Sequence, residues 1–437
     1  MNTRLMSIHA ILTVAISLGW VGVMNAAQVT LTIRETGRAE PLPARVHLQD
    51  SSCKPVKPPG SPAWHDHFVC AGSVEVALTS GDYRIEIERG PEFSSVATNF
   101  TVGESATNFS FTVSRIADLV REGWWSGETH VHRKPQEAEL LMRAEDLHVA
   151  HFTTWWNKAA PWTTAPLPQR LPVRFDGNRF YHPLGGEDER DGGALLYLDL
   201  TAPLDITGGT RHRPSSVAFA KQARERGAQW IDAEKPFWWD FPMWVAHGVV
   251  DTVGIAHNHM QRDGVLDNEA WGRPRDRAIY AGPQGNGRYT QDIYYSLLNT
   301  GFRLPPSAGS ASGVLPNPVG YNRAYVHIEG EFTYEKWRDG LKTGRSFVSN
   351  GPLLRARANG FLPGHVFRTN GALQVLLEAR LDSRDPSAAV ELVRDGHIER
   401  VNLPSLITIQ ESGWFLLRVI ADVTNTFRFA STAPWYV

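Results

Sequence analysis

Three things are scarce in this sequence: cysteine, a surplus of charge of either sign, and long apolar runs. Each shortage removes a class of protein. Only Cys53 and Cys70 occur in 437 residues, too few for a disulfide-built scaffold or a four-cysteine zinc site. Lys and Arg number 44 against 46 Asp and Glu, so the basic footprint of a nucleic-acid binder is missing. Beyond residue 27 no stretch is long and apolar enough to span a bilayer. Tryptophan, by contrast, is abundant at 15 copies. The pairs Trp124-Trp125, Trp155-Trp156 and Trp238-Trp239 flank histidine motifs and point to an aromatic-walled cleft.

Residues 1–27 read as a secretory signal. Arg4 supplies the positive charge, Ile8 to Val23 is mostly apolar, and Asn25-Ala26-Ala27 offers small residues for cleavage. An uncleaved anchor is the alternative, on a short span. Export implies a periplasmic or extracellular protein with no membrane attachment after cleavage. In that setting Cys53 and Cys70 are expected to form a disulfide, with two buried thiols as the alternative. The expected partner is a small-molecule or carbohydrate-like substrate, and the sequence carries no signal for an oligomeric state.

Three textures follow the leader. Residues 28–116 alternate apolar and polar in short runs, the pattern of a β-sandwich. Residues 117–350 alternate helical and strand patterns, with helices at Glu137–Leu147, Val217–Arg226 and Phe241–Gly248, each leading into an apolar run. This predicts an α/β barrel or an open parallel sheet. Residues 157–190 and 261–290 are polar and rich in glycine and proline, and read as long functional loops. Residues 351–437 return to strands and read as a second sandwich, after the turn Asn350-Gly351-Pro352.

The chemistry gathers in two His-x-His dipeptides, His130/His132 and His257/His259, each ending an apolar run. Residues i and i+2 of a strand share a face, so each pair can aim two imidazoles at one point, a metal-binding arrangement. A third pair, His65 and His67, falls in the sandwich and reads as structural or surface.

Gly123-Trp-Trp-Ser-Gly-Glu-Thr-His-Val-His resembles the opening Gly-Asp-Leu-His-x-His motif of the PHP (polymerase and histidinol phosphatase) superfamily. Tyr295 to Ser310 and Gly344 to Leu354 are similar to later segments of its exported CehA/McbA-like metallohydrolase branch. The resemblance implies a distorted (β/α)7 barrel flanked by β-sandwich domains. It implies divalent metals at the C-terminal strand ends and hydrolysis of phosphate, amide or carbamate-type esters. By position, His130 and His132 would be ligands, Glu187 a bridging carboxylate, and His257 or His259 the later histidine. Two motifs depart. Thr154-Trp155-Trp156-Asn157 stands where the family has Thr-Asp-His-Asn, and Ser310-Ala311-Ser312-Gly313 where it has Ser-Asp-x-His.

The expected centre is therefore reduced: one or two divalent ions (zinc, manganese or iron) on some of His130, His132, Glu187, His257 and His259. Glu128, Glu187 or Glu234 would accept the proton of an activated water, Glu128 because it lies two residues before His130. Lys235 or Arg190 would balance charge on the intermediate. The expected function is an exported metal-dependent hydrolase. The alternative is a catalytically silent binding protein for a carbohydrate or aromatic ligand.

Overall fold

Strict alternation builds the N-terminal part. In Ala27–Glu35 the side chains of Val29, Leu31 and Ile33 are buried while their neighbours are not, because successive strand residues face opposite sides. A computed structural model describes residues 26–157, 169–202, 204–206, 208–386 and 389–437. All but the end of the leader reading thus lies outside the described residues. In the N-terminal part a three-stranded and a five-stranded sheet share one core, with Val46, Leu48, Ile85 and Ile87 facing the residues just named. No helix among the described residues is long and apolar enough to cross a membrane.

The expected disulfide is not formed: Cys53 is a free exposed thiol and Cys70 a free buried one. The strand Ala44–Asp50 explains why. Cys70 lies opposite Ala44 at one end of it, and Cys53 sits in the turn after Asp50 at the other. Six residues of strand separate the two by about 20 Å, against a Cα separation of about 7 Å that a disulfide tolerates. Burial raises the Cys70 thiol pKa. A thiol reagent is therefore expected to label one cysteine in the native protein and the second only after denaturation. Two labels at once, or none, would contradict this placement.

The centre of the chain corrects the expected barrel. Strand accounts for 41% of the structure and helix for 13%, with five α-helices among the described residues. We label the central strands β1 (Trp124–Val131), β2 (Val149–Trp156), β3 (Arg179–Arg190), β4 (Gly193–Leu198), β5 (Trp230–Ala233), β6 (Thr252–Ala256), β7 (Pro306–Ala308) and β8 (Arg323–His327). Their order is β7-β6-β5-β4-β3-β2-β1-β8. The pairs β1/β2, β2/β3, β5/β6 and β6/β7 are parallel, while β3/β4, β4/β5 and β1/β8 are antiparallel. A (β/α)7 barrel needs a helical crossover after each strand. Here Asp191-Gly192 turns β3 straight back into β4, and β3 itself fills part of the stretch expected to be loop.

The same sheet does not stop at Asn350. Beyond β8 it continues through Ser346–Ser349, Phe429–Thr432, Trp414–Ile420 and Glu391–Arg394 to His397–Arg400, hydrogen-bonded throughout. A separate three-stranded sheet, Leu353–Ala358, Leu373–Asp382 and Ser405–Ile409, covers one face of this extension through Leu353, Val375 and Phe415.

Ion pairs tie the parts together. Glu88 of the N-terminal part meets Arg45, Arg262 of the central part (3.0 Å) and Arg384 of the C-terminal part (3.2 Å). Asp146 likewise meets Arg89 (3.1 Å), Arg115 (3.2 Å) and Arg179 (2.8 Å).

Candidate metal centre

β1 enters the site with its C-terminal end. Ser126, Glu128 and His130 share a face, and His132 lies just past the strand. The segment after β7 holds this end: Ala311 N donates to His130 O (2.8 Å) and His132 N to Ser312 O (2.7 Å). It comes so close that a Cβ on Gly309 would lie 2.6 Å from that of His130. Ala311 is held at φ 48°, a left-handed conformation that costs a non-glycine residue about 1–2 kcal/mol. Ser310 to Gly313, where the family resemblance places metal ligands, supplies close-packed backbone.

Glu187 arrives from β3, opposite Trp156 of β2. His130 Nε2 and His132 Nε2 are 2.8 Å apart, and Glu187 Oε2 lies 3.5 Å from the first and 3.2 Å from the second. Ligand atoms around one tetrahedral zinc are about 3.3–3.6 Å apart. Two of the three separations are near that value, and the third needs a small opening of the two rings. His130, His132 and Glu187 thus form a group that can hold a metal ion. The two Nδ1 atoms of these rings are buried without a hydrogen bond. On its other side, His130 Nδ1 is 3.2 Å from Glu234 Oε1. Lys235 Nζ donates to that same oxygen at 2.6 Å and sits 4.4 Å above the Trp238 ring.

The electrostatics favour positive charge here. Burial by itself would lower the His130 pKa, but Glu187 and Glu234 overcome it and raise it to about 10. Burial disfavours charge on the carboxylates as well. His130 and His132 nevertheless hold Glu187 well below the usual range, and Lys235 and His130 hold Glu234 down to about 2. A proton on His130 thus occupies a cradle that two ionised carboxylates make for a cation.

These groups line a cavity of about 280 Å³ walled by Trp156, Trp238 and Trp271 and reached by Glu189, Asn258 and Asn268. Of the residues chosen from sequence, His130, His132, Glu187, Glu234, Lys235 and His259 line it, while Glu128, Arg190 and His257 do not. Glu128 accepts from Ser310 N (2.9 Å) and Gly320 N (2.6 Å) and so anchors the connection from β7 to β8. Arg190 forms a two-pronged pair with Asp188 (2.7 and 2.8 Å) and donates to Thr210 O. His257 has both nitrogens engaged. Nδ1 accepts from His259 N (3.3 Å). Nε2 donates to Thr290 Oγ1 (2.9 Å), whose own hydroxyl proton goes to Asn286 O. His259 Nδ1 donates to Asn268 O (3.0 Å), which leaves Nε2 as its lone-pair nitrogen.

Sequence reasoning missed Glu189, Trp271 and Asn268. Glu189 was legible, two residues after Glu187 on the same strand face. Trp271 and Asn268 come from the 261–290 loop, where no periodicity locates a side chain. Of each tryptophan pair near the site, one member serves the cavity: Trp156 and Trp238 line it, Trp155 is core, and Trp239 is exposed.

A second group, His47, Asp66 and His67, is also close enough to hold an ion. Arg45 Nε, however, donates to His47 Nε2 at 3.1 Å. The His47 proton must then sit on Nδ1, where it points at Asp66 (3.0 Å) and occupies the ligand position. His65 is exposed at the turn of the same hairpin. The chain matches no family model, no curated protein and no solved structure.

Proposed function

We propose that the protein is an exported metal-dependent hydrolase acting on a small, uncharged carbonyl substrate such as an ester, amide or carbamate. The observation that carries this reading is the convergence of three donor atoms, from the buried His130 and Glu187 and the half-buried His132, on the wall of a tryptophan-lined cavity. Export rests on the leader pattern of residues 1–27. The likeness of Gly123 to His132 to the PHP opening motif points toward the same chemistry.

A divalent ion held by His130, His132 and Glu187 would supply a water of lowered pKa and a Lewis acid for the carbonyl oxygen. The chain's own residues do the rest. Glu189 lines the same cavity and faces the same way as Glu187, and we assign it the water's proton. His259 offers the Nε2 lone pair for orienting a substrate N–H or a water. Trp156 and Trp271 flank the space left for the substrate and shield it from bulk water.

The absence of charge on the substrate follows from the lining. Among the described residues Lys235 is its one basic side chain apart from the histidines, and no arginine lines it. The Lys235 ammonium is committed to Glu234 and the Trp238 ring. Phosphate recognition relies on arginine or lysine clamps, whereas this cavity offers three carboxylates.

Two measurements test the reading. Protein purified without chelator is expected to carry about one equivalent of transition metal, and a content below about a tenth would remove the metal centre. The loaded protein is expected to cleave p-nitrophenyl acetate, to lose that activity on chelation, and to leave p-nitrophenyl phosphate intact. Faster cleavage of the phosphate would overturn the substrate class. Metal binding without any turnover would favour the alternative of a binding protein for a sugar or aromatic ligand.

A further inference from the structure

We infer that Glu234 is a positioning residue that fixes His130 for the metal, and that Lys235 keeps Glu234 from becoming a ligand itself. The inference rests on the metal-centre reading above and adds a division of labour among its carboxylates. Two acidic side chains flank one imidazole: Glu187 Oε2 is 3.5 Å from Nε2, and Glu234 Oε1 is 3.2 Å from Nδ1. The closer carboxylate oxygen is that of Glu234, beside an Nδ1 with no other hydrogen-bond partner, so a small turn of the ring completes an Nδ1–H to Oε1 bond. With the proton held there, the lone pair of Nε2 points toward His132 and Glu187.

Nothing in the chemistry of a carboxylate would stop Glu234 from binding the ion in place of Glu187. Both line the one cavity. The difference lies in Lys235, whose ammonium is 2.6 Å from Glu234 Oε1 and backed by the Trp238 ring at 4.4 Å. Among the described residues Glu187 has no such ammonium partner, and it faces two imidazoles. Glu234 is also fixed at its base. It directly follows β5, and its carbonyl packs so tightly on β6 that a Cβ on Gly254 would come within 2.1 Å of it. The carboxylate can therefore approach the ion only by side-chain rotation, which the Lys235 ion pair opposes.

Cobalt titration of the chelator-treated full chain tests this, read as affinity and as visible absorption, with a melting curve for each variant. Glu234→Ala is expected to weaken cobalt binding roughly 10–100-fold, as loss of such outer partners does. Glu234→Gln keeps an acceptor for Nδ1 and is expected to recover part of that loss. Lys235→Met should bind cobalt at least as tightly as the parent. Its spectrum should shift to the weaker absorption of a more highly coordinated ion, because Glu234 is released to join. Glu234→Ala binding within about twofold of the parent, or Lys235→Met leaving the spectrum unchanged, overturns the inference. Should Glu234→Ala fail to fold, the Gln and Met variants decide it. A parent chain that binds no cobalt refutes the metal-centre reading itself, before any variant is compared.

Discussion

Replacing Glu88 with alanine is expected to cost about 3–5 kcal/mol of stability, the usual penalty for removing one partner of a buried ion pair. The effect is large because Glu88 serves three arginines at once, one from each part of the chain. Arg45 is the most buried of them, with 3% of its side chain exposed. It would retain Glu145 but lose the carboxylate that balances its second guanidinium edge. The sign of the pH effect follows from the same geometry. Burial opposes charge on Glu88, yet Arg45, Arg384 and Arg262 hold its carboxyl well below its ordinary value of 4.5. Its contribution is therefore complete above that value and is lost as the pH falls below it. Urea unfolding at pH 7 checks the magnitude, and a series down to pH 3 checks the sign. A parent and variant whose difference in stability does not shrink with acid would refute the assignment.

The second large effect separates two histidine pairs that look alike. His130→Ala is expected to reduce metal affinity by about 100-fold or more, since four-ligand zinc sites are worth about 10–16 kcal/mol and each ligand about 3. His257→Ala is expected to leave the affinity within a few-fold of the parent. It would instead lower stability by about 1–3 kcal/mol, the cost of leaving the His259 amide without its acceptor and the Thr290 oxygen without its donor. Isothermal titration with zinc, together with thermal melts of both variants, reads the two effects independently. Equal loss of metal affinity in both variants would place His257 in the coordination shell.

Why these pairs diverge shows how far the sequence could be read. The rule that i and i+2 share a face holds along β1, and it correctly sets His130 beside His132. It fails for His257 and His259 because β6 ends at Ala256 and the chain turns at once, with Met260 N bonded to His257 O. Glu128 obeys the rule and still misses the cavity, because Ser310 and Gly320 cover it, residues far away in sequence. The strand and helix positions of the centre were legible from periodicity: the predicted helices at Glu137–Leu147 and Val217–Arg226 overlap Ala138–Ala144 and Ser216–Glu225. Strand direction was not. The charged end of β3, Glu187 to Arg190, reads as a solvated loop, yet Glu187 is satisfied inside the fold by His130 and His132, and Asp188 and Arg190 by each other. The run is a strand through its backbone pairing with β2 and β4, and the antiparallel turn into β4 rules out a (β/α)7 barrel.

The unbroken sheet across Asn350 bears on how this chain can be handled and how it can vary. A fragment ending at the turn would expose the raw edge of Ser346–Ser349, a row of unpaired amides and carbonyls open to strand addition by another molecule. The C-terminal strands are thus a cap on the sheet that carries His130 and Glu187 and cannot be trimmed or exchanged like a bead on a string. Insertions that respect the hydrogen-bonded ladder can enlarge the surface loops, while the order of strands from β7 to His397–Arg400 stays fixed as one structural sentence.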